Sequence, residues 1–126
     1  MSFTVLIVDD EDTFRRNAED FLTARGYEAK GVATLADART SLLRGDGDVV
    51  LLDVQLPDGY GPNLLYETSN LPARPPIILI TAYGDIEMAV DAMKNGAHDF
   101  LAKPIQFSQL ELSLQRATEI VSMRRE

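Results

Sequence analysis

Short apolar runs alternate along this chain with stretches in which apolar residues recur every three or four positions. The run FTVLIVDD, residues 3–10, predicts a buried strand that ends in two acids. Residues 12–25 set Phe14, Ala18, Phe21 and Leu22 at helical spacing, and Gly26 follows as a stop. YEAKGVA predicts a weaker second strand. Thr34 and Asp37 then read as a capping box before a helix with Leu35, Ala38, Leu42 and Leu43 on one face. DVVLLD, residues 48–53, predicts the third strand. Pro62 opens a short helix to about Asn70, which the connector PARPP ends by forbidding further helix. IILIT, residues 77–81, predicts the fourth strand, and residues 85–95 a helix through Ile86, Ala89, Val90 and Met93. DFLAK predicts the fifth strand, and Ser108 with Glu111 a second capping box ahead of Leu110, Leu114, Ala117 and Val121.

Five strands alternating with five helices imply an α/β chain with a doubly wound five-stranded parallel sheet, because parallel neighbours need right-handed crossovers that helices supply. Ligands of such sheets bind outside the carboxyl ends of the strands. Asp9 and Asp10 follow the first strand, Asp53 the third, Thr81 the fourth and Lys103 the fifth, so all five are expected on one rim.

Composition narrows the class. At 126 residues the chain is expected to be one domain, 1–126. No apolar run approaches the roughly 18 residues needed to cross a membrane, and MSFTVLIVDD reads as a strand and not a leader. The absence of cysteine excludes disulfides and thiolate metal sites, which fits a cytoplasmic protein. A net charge of −8 argues against direct nucleic-acid binding by this stretch, since phosphate neutralisation needs clustered Lys and Arg. A protein or a cation is the expected partner.

Singly, each rim residue has an ordinary explanation: Asp10 as a cap, Thr81 as a β-former, Lys103 as a solvated surface charge. Jointly they point elsewhere. Three carboxylates offer hard oxygen ligands suited to Mg²⁺, and a Lys ammonium with a Thr hydroxyl suits an oxyanion. Together they describe a phosphoryl site.

The motifs LIVDDE, LLDVQLPDGYG, ITAYGD and DFLAKP closely resemble the receiver domain of two-component response regulators, over essentially the whole chain. The resemblance implies a flavodoxin-like sheet of strand order 2-1-3-4-5 and a phosphoacceptor at Asp53 that is charged by a sensor histidine kinase. It implies Mg²⁺ held by Asp10, Asp53 and the backbone carbonyl of Gln55, with Asp9 acting through water. Lys103 would pair with the phosphoryl group, and Thr81 with Phe100 would form the activation switch. Such a domain is a phosphoacceptor that assists its own phosphorylation and dephosphorylation, not an enzyme acting on a separate substrate. Gly59 and Gly61 are expected at positive φ in the loop after Asp53. Gln55 and Tyr83 are expected beside the path of hydrolytic water, and the Lys103–Pro104 bond is expected to be cis. His98, a lone histidine, reads as structural or surface and not catalytic.

GDIEMAVDAMKNGAHDFLAKPI resembles receivers of nitrogen-regulation and dicarboxylate-transport regulators, which drive an ATPase and a DNA-binding domain. This implies a homodimer with its contact surface on the fourth helix, fifth strand and fifth helix. The chain contains no GxxxxGK loop and no helix-turn-helix pattern. RATEIVSMRRE, with no stop glycine, reads as a helix that continues beyond Glu126 in a longer regulator. A degenerate receiver would lack one of the site residues, and none is missing. A flavin carrier would need a hydroxyl-rich and glycine-rich loop where this chain has DDED, and a metal-dependent phosphatase would need a D-x-D nucleophile that starts at the end of the first strand, where this chain has Asp9 followed two residues later by Glu11.

Overall fold

The alternation of residues along each strand divides the core in two. In a computed structural model that describes residues 2–82 and 86–125, the side chain of Ile86 excepted, five strands form one parallel sheet. Numbering only the strands of that sheet, they are β1 (Thr4–Val8), β2 (Glu28–Val32), β3 (Val49–Asp53), β4 (Ile77–Thr81) and β5 (Asp99–Ala102). Their spatial order is β2-β1-β3-β4-β5, the doubly wound arrangement expected. The helices are α1 (Asp12–Ala24), α2 (Leu35–Leu43), α3 (Asn63–Glu67), α4 (Ile86–Lys94) and α5 (Phe107–Arg125).

Val5, Ile7, Leu51 and Ile80 face one side, where Leu22 of α1 and Leu110 and Leu114 of α5 cover them. Leu6, Val8, Leu52 and Leu79 face the other, under α2, α3 and α4. A strand buried on both faces must be apolar at every position, which is why VLIV and VVLL carry no alternation. Each such Leu or Ile stabilises the fold by roughly 1.5–3 kcal/mol. No described helix is long and apolar enough to cross a membrane.

Pairing of Val8 with Leu52, Asp53 with Ile80 and Thr81 with Ala102 keeps the carboxyl ends of the four central and edge strands level. The level register brings the polar strand ends onto one rim.

Four local expectations are corrected. Helix α5 begins at Phe107, so Ser108 lies inside its first turn; the Gln106 carbonyl accepts from Gln109 and Leu110, and Glu111 pairs with Arg25 at 3.0 Å. Stacking of Phe107 on Phe21, centroids 4.5 Å apart, accompanies this earlier start. Helix α3 stops at Glu67, where the Thr68 hydroxyl donates to the Leu64 carbonyl. Leu43 of α2 is 84% exposed, and Ser41 takes the buried position instead. In α4 it is Met88 and Ala92 that face the core, whereas Val90 and Met93 are exposed. That helix is apolar on two stripes, and the one that carries Met88 and Ala92 is packed on the sheet.

Candidate functional site

The rim is built by backbone continuity at strand ends. Asp9 is the first residue beyond β1, held by its N–H donating to the Val32 carbonyl at 3.1 Å, and is buried; Asp10 next to it is exposed. Asp53 is the last residue of β3 and half-buried. Thr81 is the last residue of β4 and buried, and Lys103 follows β5 with its N–H donating to the Thr81 carbonyl at 2.7 Å. The Lys103–Pro104 bond is cis, as expected.

One carboxylate oxygen each from Asp9, Asp10 and Asp53 can be taken so that all three lie within 4.8 Å of one another. Asp9 Oδ1 accepts the Glu11 N–H at 2.9 Å. Its Oδ2 is fully buried and, among the described residues, has no aligned hydrogen-bond donor and only the Lys103 ammonium, at 2.7 Å, as a charge partner. Three converging carboxylates beside one ammonium leave excess negative charge, and a buried carboxylate oxygen with unfilled acceptor capacity accompanies it. A hard divalent cation with oxygen ligands and retained waters fits that donor set.

Burial, and then the neighbouring Asp9 charge, push the Asp53 carboxyl up to about 6; Lys103 and the N–H groups of Val54 and Gln55 oppose this rise. Burial would lower the Lys103 ammonium, but Asp9 and Glu11 outweigh it and hold its pKa above the usual lysine value. Lys103 therefore stays cationic at neutral pH.

The loop after Asp53 folds back as a hairpin of two-residue strands, Gln55–Leu56 against Gly59–Tyr60. Gly59 has φ +154°, but Gly61 is not at positive φ; its requirement is steric, because the Asp53 carbonyl lies against it. The Asp58 carboxylate accepts from the Leu35 and Ala36 N–H groups at 2.8 and 3.0 Å, pinning this loop to the start of α2. Thr34 adds to that cap by accepting from the Asp37 N–H at 3.1 Å, so two further first-turn donors, those of Leu35 and Ala36, are met by Asp58 from across the loop.

Four contributors escaped sequence reasoning: Asp58, Glu11, Phe14 and Arg15. Phe14 reads as core by periodicity, yet its ring lies 4.4 Å under Lys103 Nζ. Arg15 donates to the Asp9 carbonyl at 2.6 Å and pairs with Asp12. Only the acidity of DDED hinted at Glu11. Phe100 is half-buried against the core beneath α4, and Gln55 is exposed at the hairpin start. Tyr83 lies outside the described residues. His98 stands at the opposite end of the sheet, its Nε2 3.2 Å from the Ser113 carbonyl, in keeping with a structural role. Arg74 of PARPP donates to the Leu65 and Gly96 carbonyls at 3.1 and 3.0 Å.

Residues 5–115 match the family described as the response regulator receiver domain. The chain is 39% identical over 125 residues to the regulatory protein AtoC of Escherichia coli strain K12, covering 97% of this chain and 26% of that protein. It is 39% identical over 119 residues to the C4-dicarboxylate transport transcriptional regulatory protein DctD of Pseudomonas aeruginosa, covering 92% and 25%. Among solved structures, the beryllofluoride-activated NtrC4 receiver domain dimer superposes with a TM-score of 0.86 at 34% identity, over 94% of this chain and 98% of that one. The chain thus spans about a quarter of the length of these two curated relatives.

Proposed function

The chain belongs to the response regulator receiver domain family, and from that membership we propose that it is the phosphorylation-dependent switch of a two-component transcriptional regulator, accepting a phosphoryl group from a sensor histidine kinase on Asp53. The observation that carries the reading is the convergence of Asp9, Asp10 and Asp53 beside the Lys103 ammonium at the carboxyl ends of the strands.

An ionised Asp53 oxygen attacks phosphorus, an O–P bond forms, and the P–N bond to the donor histidine breaks with its electron pair returning to the imidazole. The backbone N–H groups of Val54 and Gln55 orient the carboxyl. Lys103 moves onto the transferred group and offsets its charge. Asp10, Asp53 and the Gln55 carbonyl would hold Mg²⁺, with Asp9 through water, and the ion would neutralise charge on the equatorial oxygens.

Thr81 then donates its hydroxyl to the phosphoryl group, and Phe100 turns further inward beneath α4. The surface altered is α4, β5 and α5, where Val90, Met93, Leu112, Ile120 and Met123 are exposed apolar residues. A homodimer formed there would pass the change to an output domain that acts in the cytoplasm on transcription.

The test is incubation with acetyl phosphate and Mg²⁺ followed by intact-mass measurement. A phosphate-sized adduct on the wild type and none on Asp53→Ala is the expected result; an adduct that persists in Asp53→Ala overturns the assignment. For the switch, light scattering with beryllofluoride and Mg²⁺ should show a change in association that Thr81→Ala loses. Binding of the mimic with no change in association refutes the proposed output surface.

A further inference from the structure

The resting position of Lys103 is set by three neighbours. Its ammonium lies 2.7 Å from Asp9 Oδ2, 2.6 Å from Glu11 Oε1 and 4.4 Å from the centre of the Phe14 ring. An ammonium has three N–H donors, and two carboxylates and one ring face surround it here. A phosphoryl oxygen arriving on Asp53 must therefore displace one of them.

The three differ in what they lose on release. The Asp9 side chain is 2% exposed, and Lys103 is its charge partner, so parting them strands a buried charge. The Phe14 ring is packed against the core. The Glu11 side chain is 62% exposed and can exchange the ammonium for water. It also lines an open cleft of about 320 Å³ together with Thr13 and Asn17, which gives a released carboxylate room and polar neighbours. Glu11 is further tied to the site through its own N–H, which donates to Asp9 Oδ1 at 2.9 Å.

We propose that Glu11 is a positioning residue that latches Lys103 in the unphosphorylated state, so that its release opposes each transfer to Asp53. The proposal rests on the phosphoacceptor reading above and deepens it. The contact exists only before phosphorylation, so it favours the resting state by whatever the Lys103–Glu11 pair is worth. A pair that is exposed on one side supports an effect of about two- to five-fold.

The experiment compares wild type, Glu11→Gln and Glu11→Asp, each at saturating Mg²⁺. Phosphorylation by acetyl phosphate is followed by intact mass, and beryllofluoride affinity by ¹⁹F NMR. Asp keeps the charge but is one methylene too short to reach Nζ from the same backbone. The latch requires both variants to gain about two- to five-fold in rate and in beryllofluoride affinity, with the ¹⁵N resonance of the Lys103 ammonium shifted in both. A gain in Glu11→Gln with Glu11→Asp equal to wild type would mean a through-space charge effect and overturns the latch, as does no gain in either. Wild type that takes no phosphate on Asp53 sinks the phosphoacceptor reading itself, whereas phosphorylated wild type with unaccelerated variants sinks the latch alone.

Discussion

Gly61 lies so close to the carbonyl of Asp53 that a Cβ at position 61 would sit 2.0 Å from that oxygen, and the Gly61 N–H donates to the Val54 carbonyl at 2.7 Å. The atom in the way is backbone, so no rotamer change can relieve the clash. Gly61→Ala is expected to cost ~1–3 kcal/mol, the range for forced overpacking. It should also slow phosphorylation by acetyl phosphate more than the distant core change Leu114→Ala does. Thermal melts and intact-mass time courses check both. Equal slowing in the two variants would show that Gly61 serves stability alone.

Asp53 carries a carboxyl that burial and Asp9 hold near 6. In metal-free solution the folded protein therefore binds a proton at Asp53 more tightly than the unfolded chain does. Stability from this group is fully present below about pH 4 and is lost as pH rises through about 6. Asp53→Asn removes this liability. The variant should be more stable than wild type by ~1 kcal/mol at pH 7.5 in chelator, a figure reduced from the full linkage value because a half-buried group is screened by solvent. The advantage should close between about pH 6 and pH 4. Chemical denaturation across that range is the measurement.

Lys103 is the charge partner of the buried Asp9 Oδ2. Lys103→Ala is expected to lower stability in chelator by ~1–3 kcal/mol through that stranded carboxylate. Added Mg²⁺ should restore much of the stability, since a ligand at 100-fold over its dissociation constant stabilises by ~2.7 kcal/mol. It should not restore phosphorylation, which loses about 10²-fold or more with the donor to the transferred group. Melts with and without Mg²⁺, set beside phosphorylation rates, separate the two roles.

Asp58 accepts from the Leu35 and Ala36 N–H groups, and these bonds hold its carboxyl below the usual range. Its contribution is present above the unfolded value near 3.9 and is lost as pH falls through its lower folded value. Asp58→Ala should lower Tm by a few degrees at neutral pH, with the gap to wild type narrowing on acidification. Asp58→Asn, with one acceptor oxygen in place of two, should fall between. A gap that widens towards low pH would contradict the capping role.

Much of the site was legible because strand ends are set by local pattern. Asp53 follows four apolar residues and Thr81 closes IILIT, and both end their strands in the structure. Glu11 and Asp58 were not legible, because their partners are 92 residues away at Lys103 and 22 and 23 residues away at Ala36 and Leu35. Neither separation leaves a periodic mark. The exposed stripe of α4 was misread because Val90 and Met93 satisfy helical spacing as well as Met88 and Ala92 do.

The amino-acid sequence by itself determined that strands and helices alternate, that the three central strands are buried on both faces, and which polar residues lie at the carboxyl ends of the strands. Hydrophobic periodicity and backbone breakers act over a few residues and need no partner to be read. Only the tertiary structure decided which α4 stripe faces the sheet, which carboxylate caps α2, and where Lys103 rests. Those outcomes depend on the relative energies of contacts between distant segments: Ala92 packs among the core residues of the central strands, Asp58 reaches backbone donors across a loop, and Asp9, Glu11 and Phe14 surround one ammonium.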